Sequence, residues 1–257
     1  MILSASHVPT ALIHPEFASR YFFLLSSRTP KDQVNPIFHG VGFTPDAIVV
    51  GSQGCSDYQS RYPGRQLSMD LVDGGYLIGE WRGKTYVLET DPAGQCLLYI
   101  WQSGDKWAVS NSPYVLAREI EQLGHRPELY APALAVFSLG PKGRDHGQLI
   151  SPRTCIKGAN LLPPEARLRI TWEDDEGDQA ARAKVQLDHR PPPRVGETGN
   201  QRYLHLLLSL IETWRDRFLT FREAGWPFRL DLSGGKDSRA VLALMHSVMG
   251  REVPAQT

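Results

Sequence analysis

Eight residues, Asp231-Leu232-Ser233-Gly234-Gly235-Lys236-Asp237-Ser238, stand between an extended apolar run, Trp226 to Leu230, and a helical pattern, Arg239 to Met249. A strand that enters a glycine-rich turn and leaves it as a helix restricts the surrounding fold to an α/β arrangement. The first N–H groups of such a helix lack intrahelical partners and carry partial positive charge, so the turn favours phosphate. Consecutive glycines at Gly234 and Gly235 let backbone approach an anion closely or adopt positive φ. Ser233 and Ser238 add hydroxyl donors, and Asp237 has the hard oxygen that a phosphate-bound Mg²⁺ prefers. The stretch therefore predicts nucleotide chemistry, with Mg·ATP as the ligand.

This is not a Walker A loop, because no G-x-x-x-x-G-K-[ST] occurs and Lys236 is followed by Asp237. All five fixed positions of S-G-G-x-D-S are present, and in a strand-loop-helix context they resemble the PP-loop of the ATP pyrophosphatases, which cleave ATP between its α- and β-phosphates. The resemblance implies that Ser233, Gly234, Gly235, Asp237 and Ser238 hold pyrophosphate and its Mg²⁺, with Asp237 as the metal-binding residue. Lys236 occupies the variable position, where a phosphate contact and a solvated side chain are equal alternatives. Leu232 and Val253, at strand ends, are expected near the adenosine by the same resemblance, with core packing as the simpler alternative.

At 257 residues and 41% hydrophobic content the chain can bury a substantial core, as one large domain or two smaller ones. Its 28 basic and 28 acidic residues cancel, which removes the global electrostatic case for nucleic acid or an anionic membrane surface. Cys55, Cys96 and Cys155 show no C-x-x-C pattern, so reduced thiols and a cytoplasmic location are expected rather than zinc or disulfides. Met1 to His7 lacks the basic and apolar regions of a signal peptide, and apolar runs such as Leu204 to Ile211 are too short to span a bilayer, so a soluble protein is expected.

Between Tyr21 and Trp172 short β-rich runs alternate with turn residues: Tyr21 to Leu25, Ala47 to Val50, Gly75 to Trp81, Lys84 to Glu89, Leu97 to Trp101, Trp107 to Ser110 and Arg167 to Trp172. Arg82-Gly83 and Ser103-Gly104-Asp105 read as hairpin turns. Two helical patterns interrupt the strands, Pro113 to Leu123 before Gly124 and Tyr130 to Leu139 before Gly140, each glycine a candidate left-handed terminator. The acidic run Glu173 to Asp178 precedes another extended run, Lys184 to Leu187. It lacks EF-hand spacing and reads as a solvated hairpin tip.

Pro191-Pro192-Pro193 cannot continue a helix or a central strand, and sets a linker at 190–199 between a domain at 1–189 and a second one at 200–257. Beyond it, Leu204, Leu207, Leu208, Ile211, Trp214 or Arg215, and Phe218 recur on one face of a helix from Asn200 to Glu223 closed by Gly225, which reads as core packing. Arg251 to Ala255 could begin a further strand. Helix, strand, loop and helix in this order begin a parallel α/β sheet.

A β-rich first domain ahead of a PP-loop resembles the asparagine synthetase family, in which an N-terminal glutaminase of the Ntn type, an α+β sandwich, precedes the synthetase domain. Asp73 to Trp81 resembles the family's D-G-x-F-A-x-A-x-W strand, and Glu89 to Tyr99 its R-D-x-x-G-x-x-P-L-Y-Y. Val109-Ser110-Asn111-Ser112 resembles A-S-S-x-x-K-A-L, and Asn160 to Arg169 resembles V-P-P-G-x-x-L. These segments occur in the family's order and, with the loop, cover about Leu71 to the end of the chain. The family's glutaminases use a cysteine exposed as the first residue, whose own amine is the base; here Ile2 follows Met1. Of the glutamine-gripping segments, R-L-S-I-x-D survives only as a shifted Arg65 to Asp70, and the Arg-Asp pair has become Thr90-Asp91. Cys55 lacks the terminal amine, so no catalytic residue for glutamine hydrolysis is assigned.

A family member with a silent glutaminase domain resembles β-lactam synthetase. The implied reaction is adenylation of a small-molecule carboxylate by Mg·ATP, then attack by an amine or ammonia to form an amide. Nineteen residues follow Ser238, so most of a synthetase domain, with its carboxylate pocket, is expected to be lacking here. A partial sheet would leave a bare edge and an apolar face for a partner protein or a second copy. The alternatives are a non-catalytic truncated pseudoenzyme acting as an interaction module, and a tRNA-modifying or NAD-synthesising PP-loop enzyme. The β-rich first half and the lack of a basic patch argue against the latter.

Overall fold

Apolar side chains buried between two sheets, and beneath helices on their other faces, assemble the larger part of this protein. A computed structural model describes residues 22–138, 152–172, 183–189, 200–226, 230–232, 235–250 and 255–256. Contacts divide the chain into two units, one holding the described residues up to His189 and the other those from Asn200 onward.

The larger unit is mixed α/β with two antiparallel sheets. Strands β1 (Leu24–Ser26), β7 (Lys106–Ser110), β6 (Tyr99–Ser103) and β8 (Ala159–Leu161) form a four-stranded sheet in the order β1-β7-β6-β8. Strands β2 (Ile37–Phe43), β3 (Ile48–Val50), β4 (Asp73–Arg82), β5 (Thr85–Thr90), β9 (Ala166–Trp172) and β10 (Ala183–His189) form a six-stranded sheet in the order β10-β9-β5-β4-β2-β3. In β9, Ala166, Leu168, Ile170 and Trp172 are buried, while Arg167, Arg169 and Thr171 point to the other face. The inward set meets Leu77, Tyr86 and Leu88 of its own sheet and Leu25, Ile100, Trp107 and Val109 of the other, so one core lies between the two sheets. Burial of that apolar surface, at ~25 cal/mol per Å², is the main favourable contribution to folding.

Helices close the outer faces. Helix α1 (Gly51–Arg61) and the short α2 (Leu67–Asp70) put Cys55, Tyr58 and Leu67 against Phe38, Val49, Tyr76 and Ile78 of the larger sheet. Helix α3 (Pro113–Gln122) puts Leu116 and Ile120 against Trp101 and Ala108 of the smaller one. The local reasons for α3 are legible: Ser112 Oγ accepts from the Val115 N–H, Pro113 sits in the first turn, and Gly124 adopts φ +81° past the end. Helix α4 (Ala131–Ser138) follows, and the Gly140 expected to end it lies outside the described residues.

Both expected hairpin turns form, with Arg82 opposite Thr85 and Ser103 opposite Lys106. Strands β9 and β10 pair from Trp172↔Ala183 outward, and the acidic run 173–178 between them lies outside the described residues, as does the linker 190–199. Helix α1 and strand β2 are among the elements that escaped the sequence reading. Gly51-Ser52-Gln53-Gly54 has the composition of a loop yet opens α1, because burial of Gly54, Cys55 and Tyr58 overrides the weak local propensity. Strand β2 carries Gly40 and Gly42, which weaken a strand signal. Gly40 is required here, since at φ +96° a Cβ would lie 2.1 Å from the Gly75 carbonyl oxygen, whereas one at Gly42 would meet the end of the Leu71 side chain at 2.3 Å.

The smaller unit contains helix α5 (Asn200–Glu223), strand β11 (Leu230–Asp231), helix α6 (Lys236–Met249) and strand β12 (Ala255–Gln256), with β11 and β12 paired in parallel. Gly225 and Gly250 take positive φ just past the two helices. Arg222 donates from Nη1 to the Val248 carbonyl at 2.6 Å, tying the ends of α5 and α6 together. The expectation that the α5 stripe is core packing is corrected for its first half. Leu204, Leu207, Leu208 and Ile211 are exposed, and Tyr203, Leu206 and Leu210 extend the apolar arc beyond one face. The physical reason is position: α6 meets α5 near Arg222, leaving Trp214 and Phe218 half-buried and the preceding turns uncovered by described residues. Among the described residues no helix is long and apolar enough to cross a membrane.

Candidate functional site

The turn between β11 and α6 is where the sequence places its chemistry. Leu232 is half-buried directly after β11. Gly235 is the N-cap of α6 at φ −73°, ψ 168°, an extended conformation open to any residue, so this glycine is not required by a left-handed backbone. Lys236 and Asp237 are exposed in the first turn of the helix. A carboxylate there is favoured by the partial positive charge of the helix start. Ser233, Gly234 and Val253 lie outside the described residues.

Ser238 is turned back along the helix. Its Oγ donates to the Gly235 carbonyl at 3.2 Å, and Arg239 Nε donates to the same oxygen at 3.3 Å. That carbonyl sits at the N-cap, so both side chains brace the first turn from the outside. Sequence reasoning passed over Arg239, although its place directly after the motif was a visible signal. The structure thus brings Gly235, Lys236, Asp237, Ser238 and Arg239 together at one helix start.

The donor set suits a phosphate-bound Mg²⁺. That ion keeps several waters and usually takes one or two carboxylates alongside substrate phosphates, which an exposed Asp237 beside hydroxyl and backbone donors can provide. No group of three or more His, Cys, Asp or Glu that could form an all-protein metal cage occurs among the described residues.

In the larger unit Arg65, Asp70 and Asp91, weighed for glutamine chemistry, have structural partners, while the buried Thr90 hydroxyl has no hydrogen-bond partner among the described residues. Cys55 is buried in α1, and burial pushes its thiol up, away from the thiolate that a nucleophile needs. Arg65 pairs with Asp46 at 2.8 Å and lies over the Tyr62 ring at 4.9 Å, while Asp70 accepts from the Tyr58 hydroxyl. Asp91 is fully buried, and its carboxylate accepts from the N–H groups of Ala93, Gln95 and Cys96 at 2.8–3.1 Å. Those three bonds hold the loop that joins β5 to β6. All three cysteines are free thiols.

A charged ladder crosses the outer face of the larger sheet, unforeseen from the sequence. Arg82 donates to Glu80 at 2.9 Å, to Ser68 at 2.7 Å and to the buried Glu89 at 2.7 Å, and Ser68 also donates to Glu80. Arg167 lies 3.8 Å from both Glu89 and Asp188. Glu80, Arg82, Glu89 and Arg167 sit at outward positions of adjacent strands, which is why period-2 spacing brings them side by side.

No protein-family model matches the sequence, and no curated protein matches it significantly.

Proposed function

We propose that this chain is part of an ATP-dependent, AMP-forming amide ligase of the asparagine synthetase type, acting in the cytoplasm on a small-molecule carboxylate and an amine or ammonia. The observation that carries the reading is the five-position S-G-G-x-D-S motif set between β11 and α6, with β12 returning parallel to β11. In the reaction a carboxylate oxygen attacks the α-phosphorus of ATP and pyrophosphate leaves. Nitrogen then attacks the acyl-adenylate carbonyl and AMP leaves. Bound Mg²⁺ neutralises charge developing on the leaving pyrophosphate. Backbone N–H groups of the turn would bind that group, the Asp237 carboxylate would hold the metal, and the Ser238 hydroxyl would swing from the Gly235 carbonyl to a phosphate oxygen. Leu232 and Val253 border the adenosine.

The larger unit is read as a glutaminase-like Ntn sandwich without glutaminase activity, since Cys55 is buried and its thiol is pushed up, away from the thiolate. Two shared-core sheets with helices on their outer faces support that finer fold. A second reading, an interaction module without turnover, is favoured by the exposed apolar arc of α5, where Leu204 and Leu208 are 57% and 55% exposed.

Titration of Mg·ATP, and of AMP with pyrophosphate, against this chain and its Asp237→Ala variant tests the proposal. Binding by the parent that falls at least about tenfold in the variant is expected, from the loss of a charge-assisted ligand. Equal binding by both removes the site. No glutamate release above background is expected from glutamine, and clear release overturns the silent-domain reading.

A further inference from the structure

Among the described residues no strand pairs with the outer side of β10 (Ala183–His189). It is terminal in the order β10-β9-β5-β4-β2-β3, and its ladder with β9 uses the N–H and C=O groups on one side only. An edge of this kind is a template for a further strand. Lys184, Gln186, Leu187 and His189 are exposed along it, with Leu187 at 50%.

The two faces of β10 differ, and period 2 sets the difference. Ala183, Val185 and Leu187 stand opposite Trp172, Ile170 and Leu168 on the core side. Ala183 and Val185 pack against that core, while Leu187 is left at its margin. Lys184 and Asp188 stand opposite Thr171 and Arg167, on the outer face that carries the charged ladder. Along that face the sign alternates from strand to strand: Glu89 of β5, Arg167 of β9 at 3.8 Å, then Asp188 of β10 at 3.8 Å from Arg167. A cation on the next strand outward, opposite Asp188, would continue the alternation.

Strand β10 itself has that cation. Two copies meeting antiparallel along the same edge can oppose only residues separated by an even number, because alternate residues turn their backbone groups the other way. The register that pairs all seven residues is centred on Gln186. It sets Lys184 opposite the partner's Asp188, Val185 opposite the partner's Leu187 and Ala183 opposite the partner's His189, and the two-fold axis repeats each pair. An edge lysine discourages pairing when it meets no counter-charge, and here the symmetry supplies one.

We propose that two copies of this chain pair antiparallel through β10, joining their six-stranded sheets into one. Lys184 and Asp188 form reciprocal ion pairs on the outer face, and Val185 and Leu187 of both copies form one apolar cluster on the other. The strands exchange about six to eight backbone hydrogen bonds. Edge contact alone buries less than a standard interface, so the dimer is a weak one, dissociating at about 10–100 μM. It is independent of the ligase reading, because it uses no residue of the smaller unit.

Sedimentation equilibrium of the full chain, up to about 1 mM, tests the pairing, and a monomer–dimer equilibrium is expected. Lys184→Glu opposes acid to acid and Asp188→Lys opposes base to base, so each weakens association at least about tenfold, the scale of two exposed pairs reversed in sign. Mixed one to one, the two variants form a heterodimer with both pairs again of unlike charge, within about threefold of the parent's affinity. Arg118→Glu and Glu121→Lys make the same charge changes at exposed positions of α3 and leave association unchanged. Gln186→Cys, about 5 Å from its own copy across the axis, forms a disulfide-linked dimer on mild oxidation beyond that of the parent. His189→Cys, about 20 Å from its own copy, does not. A chain that stays monomeric at about 1 mM overturns the proposal. Undiminished association in either β10 charge variant, failure of the mixture to pair, or no cross-link at Gln186→Cys each overturns it as well. A dimer indifferent to the β10 changes and lost in Leu208→Glu overturns it in favour of contact through the exposed arc of α5.

Discussion

Leu230 and Ala255 are partners in a parallel ladder, so the chain that leaves β11 through the glycine turn runs along α6 and returns beside the strand it left. Parallel neighbours need such a crossover, and the crossover puts the start of α6 next to the end of β11. Gly235, Lys236, Asp237 and Ser238 therefore sit at a strand-to-helix junction.

Ser238 gives a test of the junction that separates binding from stability. Its hydroxyl donates to the Gly235 carbonyl, which Arg239 also serves, so removing it leaves that oxygen a donor. Ser238→Ala is expected to lower pyrophosphate affinity about five- to tenfold while shifting unfolding free energy by less than about 0.5 kcal/mol. Titration calorimetry and urea denaturation read the two effects separately.

Gly74 and Gly83 both take positive φ but differ in surroundings. At Gly74, φ +135°, an added Cβ would lie 2.2 Å from the Val41 carbonyl oxygen of the neighbouring strand, whereas at Gly83, φ +63°, nothing lies within 4 Å. Gly83→Ala is expected to cost about 1 kcal/mol from backbone conformation alone. Gly74→Ala should cost at least about 3 kcal/mol because β2 and β4 must separate. Equal midpoints in chemical denaturation would contradict the register of that pair.

Arg82 and Glu89 form the most buried ion pair of the outer ladder. Arg82→Ala removes the 2.7 Å partner of a buried carboxylate whose distance to Arg167 is 3.8 Å, and a loss of about 2–3 kcal/mol is expected. Glu89→Gln on that background should restore part of it, because a neutral amide tolerates burial better than an unpaired charge. A double-mutant cycle measures the coupling.

His39 makes stability depend on pH. Burial pushes its imidazole below the ordinary value, so the neutral form is favoured in the fold. Near pH 6 the unfolded chain, titrating at about 6.5, binds more protons than the folded one. The contribution is present above that pH and is lost as pH falls through the folded value. Melting temperature should therefore drop less between pH 7.5 and pH 5 in His39→Gln than in the parent.

Much of this was legible locally. The hairpins at Gly83 and Gly104, the caps of α3 and the limits of α5 follow from glycine, proline and serine acting within a few residues, and the structure has them. The S-G-G-x-D-S motif was legible for the same reason, since every fixed position falls within six consecutive residues. Helix α1, the glycine-bearing β2 and the Arg82 ladder were not. Each depends on what lies across the sheet: Tyr76 and Ile78 beneath Cys55 and Tyr58, the Gly75 carbonyl beside Gly40, and Glu89 one strand away from Arg82.

Sequence by itself determined where backbone conformation is restricted and which short stretch has the donors for a phosphate. Tertiary structure decided which side chains are buried and which charges meet. It left the leucines of α5 exposed despite their regular spacing, and it set Arg153 beside Tyr130, 23 residues away in the chain. The physical reason is range: dihedral preferences act between near neighbours, whereas burial and ion pairing depend on partners that only pairing and packing bring together.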